Sequence, residues 1–125
     1  MRTDRPVNIN PFRDYKFPFP AIVSIIHRVL GMVLFAGFAL ALYLLDLSLG
    51  SREGFNQAAD VLGNLYMKMV VIFFIFSLVY HLIAGIKHLL LDFHVGDTFR
   101  AAEIGAGIVV ASSFLITGII GFNLW

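Results

Sequence analysis

"VLGMVLFAGFALALYLL", residues 29–45, is a run of seventeen residues without a charge, bracketed by Arg28 and Asp46. A hydrocarbon core needs about 20 mostly apolar residues in helical form, range about 17–25, and this run reaches that length once its flanking turns are added. Backbone N–H and C=O groups find no water in lipid, so an isolated apolar run must satisfy them within itself, as a helix. Two further runs repeat the pattern. Eighteen uncharged residues separate Lys68 from Lys87, and the last twenty-two, Ile104 to Trp125, carry no charge at all. All four prolines lie in the first twenty residues, outside every run. The expected fold is an all-α membrane protein with three transmembrane helices, about 21–49, 61–92 and 104–125, forming part of a larger heteromeric helix bundle.

Composition agrees with lipid as the solvent: 59% of the chain is hydrophobic, 14% is charged, and the mean hydropathy is +0.87. A net charge of +1 gives no sign of a nucleic-acid partner. The chain has no cysteine, which excludes disulfides, thiolate metal sites, iron–sulfur ligation and c-type haem attachment. Any cofactor must therefore be held by His, Met, Tyr or carboxylate.

Residues 1–20, "MRTDRPVNINPFRDYKFPFP", lack the apolar core and small-residue cleavage site of a secretory signal, and their acidic residues and lack of serine do not suit a transit peptide. They are expected to form a retained cytoplasmic arm ahead of a transmembrane domain over 21–125. Orientation follows from Lys and Arg. Arg2, Arg5, Arg13, Lys16, Arg28, Lys87 and Arg100 fall on one side, Arg52 and Lys68 on the other. Seven against two predicts a cytoplasmic N-terminus and an outer C-terminus. The first loop, "DLSLGSREGFNQAAD" (46–60), reads as short, polar and turn-rich. In the third span Ser113, Thr117 and Gly121 recur every four residues, with Gly107 and Ala111 as a second small pair, a spacing that lets another helix approach closely.

Two polar groups interrupt the apolar pattern near the predicted inner face. In "SIIHRVLG" (24–31), Ser24, His27, Arg28 and Gly31 share one helical face. Taken singly, Arg28 suits a snorkelling anchor, Ser24 a back-bond to the carbonyl of Pro20, and His27 the headgroup level. Taken together, a hydroxyl, an imidazole and a guanidinium can grip a carbonyl oxygen or a carboxylate. The second group is "HLIAGIKHLLLDFH" (81–94). His81 stands ~20 Å from Lys68 and ~9 Å from Lys87 along a helix, inside the hydrocarbon. Gly85 and His88 continue its face, and Gly85 removes bulk beside it, giving a flat macrocycle room to approach. An intramembrane imidazole suits an iron ligand, an interhelical hydrogen bond or a proton relay. His88 lies ~10 Å further along the same helix and cannot ligate the same iron. Asp92 opposes the helix dipole and calls for a cationic or hydrogen-bonding partner. Lys87 reads as an anchor and His94 as loop.

"RPVN" (5–8), "SIIHRVLG" (24–31), "EGF" (53–55) and "HLIAGIKHLLLDF" (81–93) together resemble the large cytochrome b membrane subunit of succinate dehydrogenase, complex II, in its bacterial form. The resemblance covers nearly the whole chain. It implies a subunit without catalysis of its own, set in the bacterial inner membrane and carrying electrons from succinate oxidation to ubiquinone. The implied partners are a flavoprotein, an iron–sulfur subunit and a small membrane-anchor subunit. It implies one haem b shared with that anchor, with His81 as one axial ligand and the anchor supplying the other. Ser24 and Arg28 match quinone-pocket positions, and His27, Arg28 and His88 match the propionate region. Lys87 departs from the arginine common in the family, and an ammonium does not make the same bidentate contact. The alternatives are a haem-free quinone-site anchor of fumarate reductase type, a purely structural anchor, and a small proton-conducting or transporter subunit with His81 as relay.

Overall fold

A computed structural model describes residues 16–124. It contains four helices: α1 (Phe19–Gly50), α2 (Arg52–Gly63), α3 (Leu65–Asp92) and α4 (Phe99–Leu124). Among the described residues every regular element is a helix. α1, α3 and α4 are each long and apolar enough to cross a membrane. Most of the proposed N-terminal arm, residues 1–15 with Arg2, Arg5 and Arg13, lies outside the described residues.

The helix ends follow local chemistry. Pro18 is extended at φ −63° and ψ 147°, and Pro20 sits in the first turn of α1, where a missing N–H costs nothing. The loop read as turn-rich is instead mostly helical. Ser51 breaks α1 with an extended backbone, and its hydroxyl accepts from the Gly54 N–H at 2.9 Å, starting α2. Asn64 then caps α3, its side-chain oxygen accepting from Tyr66 N–H at 2.9 Å. Residues 61–63, expected at the start of the second span, therefore belong to α2. Polarity outweighed periodicity in that reading: Phe55, Ala58, Ala59 and Leu62 recur at helical spacing between two capping residues.

α3 ends in a Schellman turn, with His94 N–H bonded to Leu91 O and Val95 N–H to Leu90 O, both at 2.9 Å. His94 takes the left-handed position at φ 59°, and Gly96 follows at φ 75°. Thr98 then caps α4, its hydroxyl accepting from Ala101 N–H at 3.2 Å. α4 thus begins five residues ahead of the uncharged run, carrying Arg100 and Glu103 in its first turns.

α3 packs between α1 and α4. Along the three spans the buried positions are Val23, Leu30 and Leu34 on α1, Ser77, Tyr80 and Ala84 on α3, and Ala106, Val109, Ser113 and Thr117 on α4. Their steps of three, four and seven define one narrow seam per helix. Small residues let the backbones close: the Ser77 and Ser113 hydroxyls back-bond to Phe73 O and Val109 O at 2.7 and 2.6 Å and spend their polarity locally. A Cβ added at Gly121 would come within 2.8 Å of Ile72. The Ser113–Thr117–Gly121 row is therefore used inside the chain, whereas a Cβ at Gly107 meets nothing within 4 Å. No more than 22% of any span's most apolar window is buried, which leaves most of the apolar surface to lipid or other subunits.

Candidate functional site: the histidine cluster of α1 and α3

α1 and α3 run antiparallel, so the start of one meets the end of the other, and both polar groups fall at that meeting point. His27 lies between Val23 and Leu30 in the α1 seam, where an apolar residue would be expected. Its ring stacks against His81 with centroids 4.1 Å apart and planes inclined by 31°. On its other side stands His88, at 5.3 Å and 36°. Three imidazoles from two helices thus form one row. His27 Nε2 is buried and has no hydrogen-bond partner among the described residues. A buried polar atom left unmatched is uncommon enough to require a reason.

His81 is tied down from the other side. Its Nδ1 lies 3.2 Å from the backbone carbonyl of His27, a contact that reaches across the helix pair. Gly31 makes room for it: a Cβ there would stand 3.0 Å from His81 Cε1 and 3.4 Å from Nδ1. Gly85 faces His27, since a Cβ at 85 would lie 3.8 Å from His27 Nε2. The space beside His81 that the sequence offers to a macrocycle is therefore shared with the His27 ring.

Ser24 is half-buried and Arg28 exposed, one turn apart on α1 beside His27. Neither makes a hydrogen bond or ion pair among the described residues. Arg28 is close enough to interact electrostatically with both His27 and His88, so its charge belongs to the cluster. The Ser24 hydroxyl, unlike those of Ser77 and Ser113, is not spent on its own helix. Asp92 is exposed and makes no ion pair among the described residues. His94 pairs loosely with Asp97 at 3.9 Å in the exposed α3–α4 turn, away from the cluster. No group of three His, Asp or Glu among the described residues is arranged to hold a bare metal ion.

Residues 1–120 match the family model described as succinate dehydrogenase/fumarate reductase transmembrane subunit. The chain belongs to this family. A relative in Coxiella burnetii named succinate dehydrogenase cytochrome b556 subunit is 34% identical over 126 residues, covering the whole of both chains. Proteins of the same name in Rickettsia prowazekii and Paracoccus denitrificans are 31% identical over 82% of this chain and 80% of the relative, and 29% identical over 92% and 88%.

Within this succinate dehydrogenase-type membrane subunit, three contacts at the cluster escape a reading of the sequence. The Tyr80 hydroxyl donates to the Val23 carbonyl at 3.1 Å, a buried tie between α3 and α1. Gly31 seats His81. The Lys87 stem crosses to α4, where a Cβ at Gly105 would meet its Cε at 3.2 Å. A tyrosine next to an intramembrane histidine was the available signal for the first, because a buried phenol seeks an acceptor. The other two involve glycines, whose partners no sequence spacing identifies.

Proposed function

We propose that this chain is the large cytochrome b anchor of a succinate dehydrogenase. In this reading His81 gives one axial ligand to a b-type haem, and Ser24 and Arg28 line a ubiquinone pocket at the same membrane face. The observation that carries it is the convergence of His27, His81 and His88 across two helices, with the Arg28 charge beside them.

The donor set fits a haem. A carbonyl facing His81 Nδ1 holds the proton there, so Nε2 keeps its lone pair for iron. The partnerless His27 Nε2 and the Arg28 guanidinium suit propionate oxygens. Bound haem b supplies a one-electron carrier at this point in the membrane. His88, ~10 Å further along the helix that carries His81, would not hold the same iron, and in this reading a second ligand would come from the small anchor subunit, as the family resemblance implies.

Ser24 donates its free hydroxyl proton to a quinone carbonyl, and Arg28 faces the negative charge that grows on that oxygen during reduction. A donor aimed at developing charge lowers the barrier more than it tightens binding. Of the described cations, Lys16, Arg28, Lys87 and Arg100 lie at the histidine end and Arg52 and Lys68 at the other, which supports a cytoplasmic position for the cluster. Electrons from succinate then arrive through the flavoprotein and iron–sulfur subunits on the side where the pocket opens.

The test is a dithionite-reduced minus air-oxidised spectrum of the purified membrane complex, native and His81→Ala. The expected result is a b-type band in the native complex, lost or shifted in the variant. An unchanged band transfers ligation to His27, and a native complex without any band leaves the haem-free quinone anchor.

A further inference from the structure

We propose that the α1 backbone at His27–Gly31 is the seat that orients and tunes the His81 imidazole, with Gly31 as the positioning residue. This rests on the reading of His81 as haem ligand.

In a helix the carbonyl of residue 27 already accepts from the N–H of residue 31, leaving one lone pair for a second donor. Side chains on a helix tilt toward its N-terminus, so a side chain at 31 would cover the turn that contains that carbonyl. Glycine at 31 leaves it bare. His81 Nδ1 reaches it at 3.2 Å, the long end of the N–H···O range. A methyl group at 31 would press on His81 Cε1 at 3.0 Å and on Nδ1 at 3.4 Å. The ring has to retreat by a few tenths of an ångström, which takes the bond out of range.

Two properties depend on that bond. It fixes the imidazole plane and hence the direction of the Nε2 lone pair. It also pulls the Nδ1 proton toward oxygen, making Nε2 more electron-donating and favouring ferric over ferrous iron. Loss of the bond therefore raises the haem midpoint potential and loosens the haem.

The experiment compares three forms of the assembled membrane complex: Gly31→Ala, Nδ1-methylhistidine incorporated at position 81, and His81→Ala. Methylation removes the donor, keeps Nε2 and sets a methyl group against the His27 carbonyl, so it expels the ring from the seat without a substitution on α1 and decides the matter if Gly31→Ala fails to assemble. The readouts are a potentiometric haem titration, the low-spin EPR signal and haem retention during extraction. Gly31→Ala and the methylated form should keep a b-type band, shift its midpoint positive, alter the EPR signal and retain haem about 10-fold less tightly. Native potential and EPR in both, with the band lost in His81→Ala, overturns the seat while sparing the ligand. A native spectrum in His81→Ala overturns both.

Discussion

The two ends of the α1–α3 pair use the same helices in opposite ways. At the histidine end the contact is close and polar: His81 reaches the His27 carbonyl, the Tyr80 hydroxyl reaches Val23 O, and His27 fills a seam position. Toward the other end the contact is aromatic. The Phe74 ring lies directly against Gly37 and meets Phe38 edge-on at 5.2 Å and 85°. Beyond it α2 roofs a cavity of about 460 Å³ whose lining includes Leu44, Phe55, Leu62 and Val71. Its serine, Ser48, spends its hydroxyl on Leu45 O of its own helix at 2.8 Å. Helices in lipid gain little from burying apolar surface against each other, so small residues and hydrogen bonds set where they close. The α1–α3 pair thus offers free polar groups at the histidine end, whereas the serine at its aromatic end is spent on its own helix.

Serine truncation puts that contrast to a direct test, with Arg28→Ala as the largest expected effect. Removing a group that faces developing charge costs on the order of 10²-fold in turnover. Ser24→Ala removes a neutral donor worth about 0.5–1.5 kcal/mol, roughly tenfold at the upper end. Ser48→Ala, at the aromatic end, should leave quinone reduction unchanged. All three should oxidise succinate normally with an artificial acceptor. Equal losses in Ser24→Ala and Ser48→Ala would erase the distinction between the ends.

The capped end is tested by Gly54→Ala. A Cβ at position 54 would collide with the Leu47 carbonyl, where α2 turns back on α1. Overpacking of this kind costs about 1–3 kcal/mol, and backbone rather than side chain has to move. The expected outcome is a lower thermal midpoint of the complex and faster proteolysis near residue 51, with the haem spectrum intact. A spectral change would mean that the two ends are mechanically coupled.

What the sequence disclosed, and what it hid, follows the same division. The spans were legible because charge exclusion over seventeen or more residues is a one-dimensional property, visible without knowing what packs on what. His81 was legible because an imidazole in hydrocarbon needs a partner, and its face-mates at 85 and 88 follow from helical spacing. α2 was missed because its polar residues suggested a loop, although Ser51 and Asn64 bracket an amphipathic pattern. The acceptors at the cluster are backbone carbonyls, of Val23 and His27, and a carbonyl has no letter of its own. Gly31 could be placed on the right face, but that it makes room for the His81 ring required the second helix in position.

The smallest effect above zero belongs to Tyr80→Phe, which separates holding the helices together from holding the proposed haem. Tyr80 is 2% exposed and sits beside His81, so its ring stays packed when the hydroxyl is removed. Val23 O keeps its helical hydrogen bond, and no buried donor is orphaned. Interhelical hydrogen bonds in membranes average about 0.6 kcal/mol, so the thermal midpoint of the complex should fall only slightly. Midpoint potential and quinone turnover should match the native complex, since the Tyr80 hydroxyl bonds to Val23 O and not to the side chain of His81, Ser24 or Arg28. A positive shift of the haem potential in Tyr80→Phe would mean that the Val23 tie helps set the approach of α1 to His81. The polar end would then act as one cooperative unit rather than as a seat beside an independent clasp.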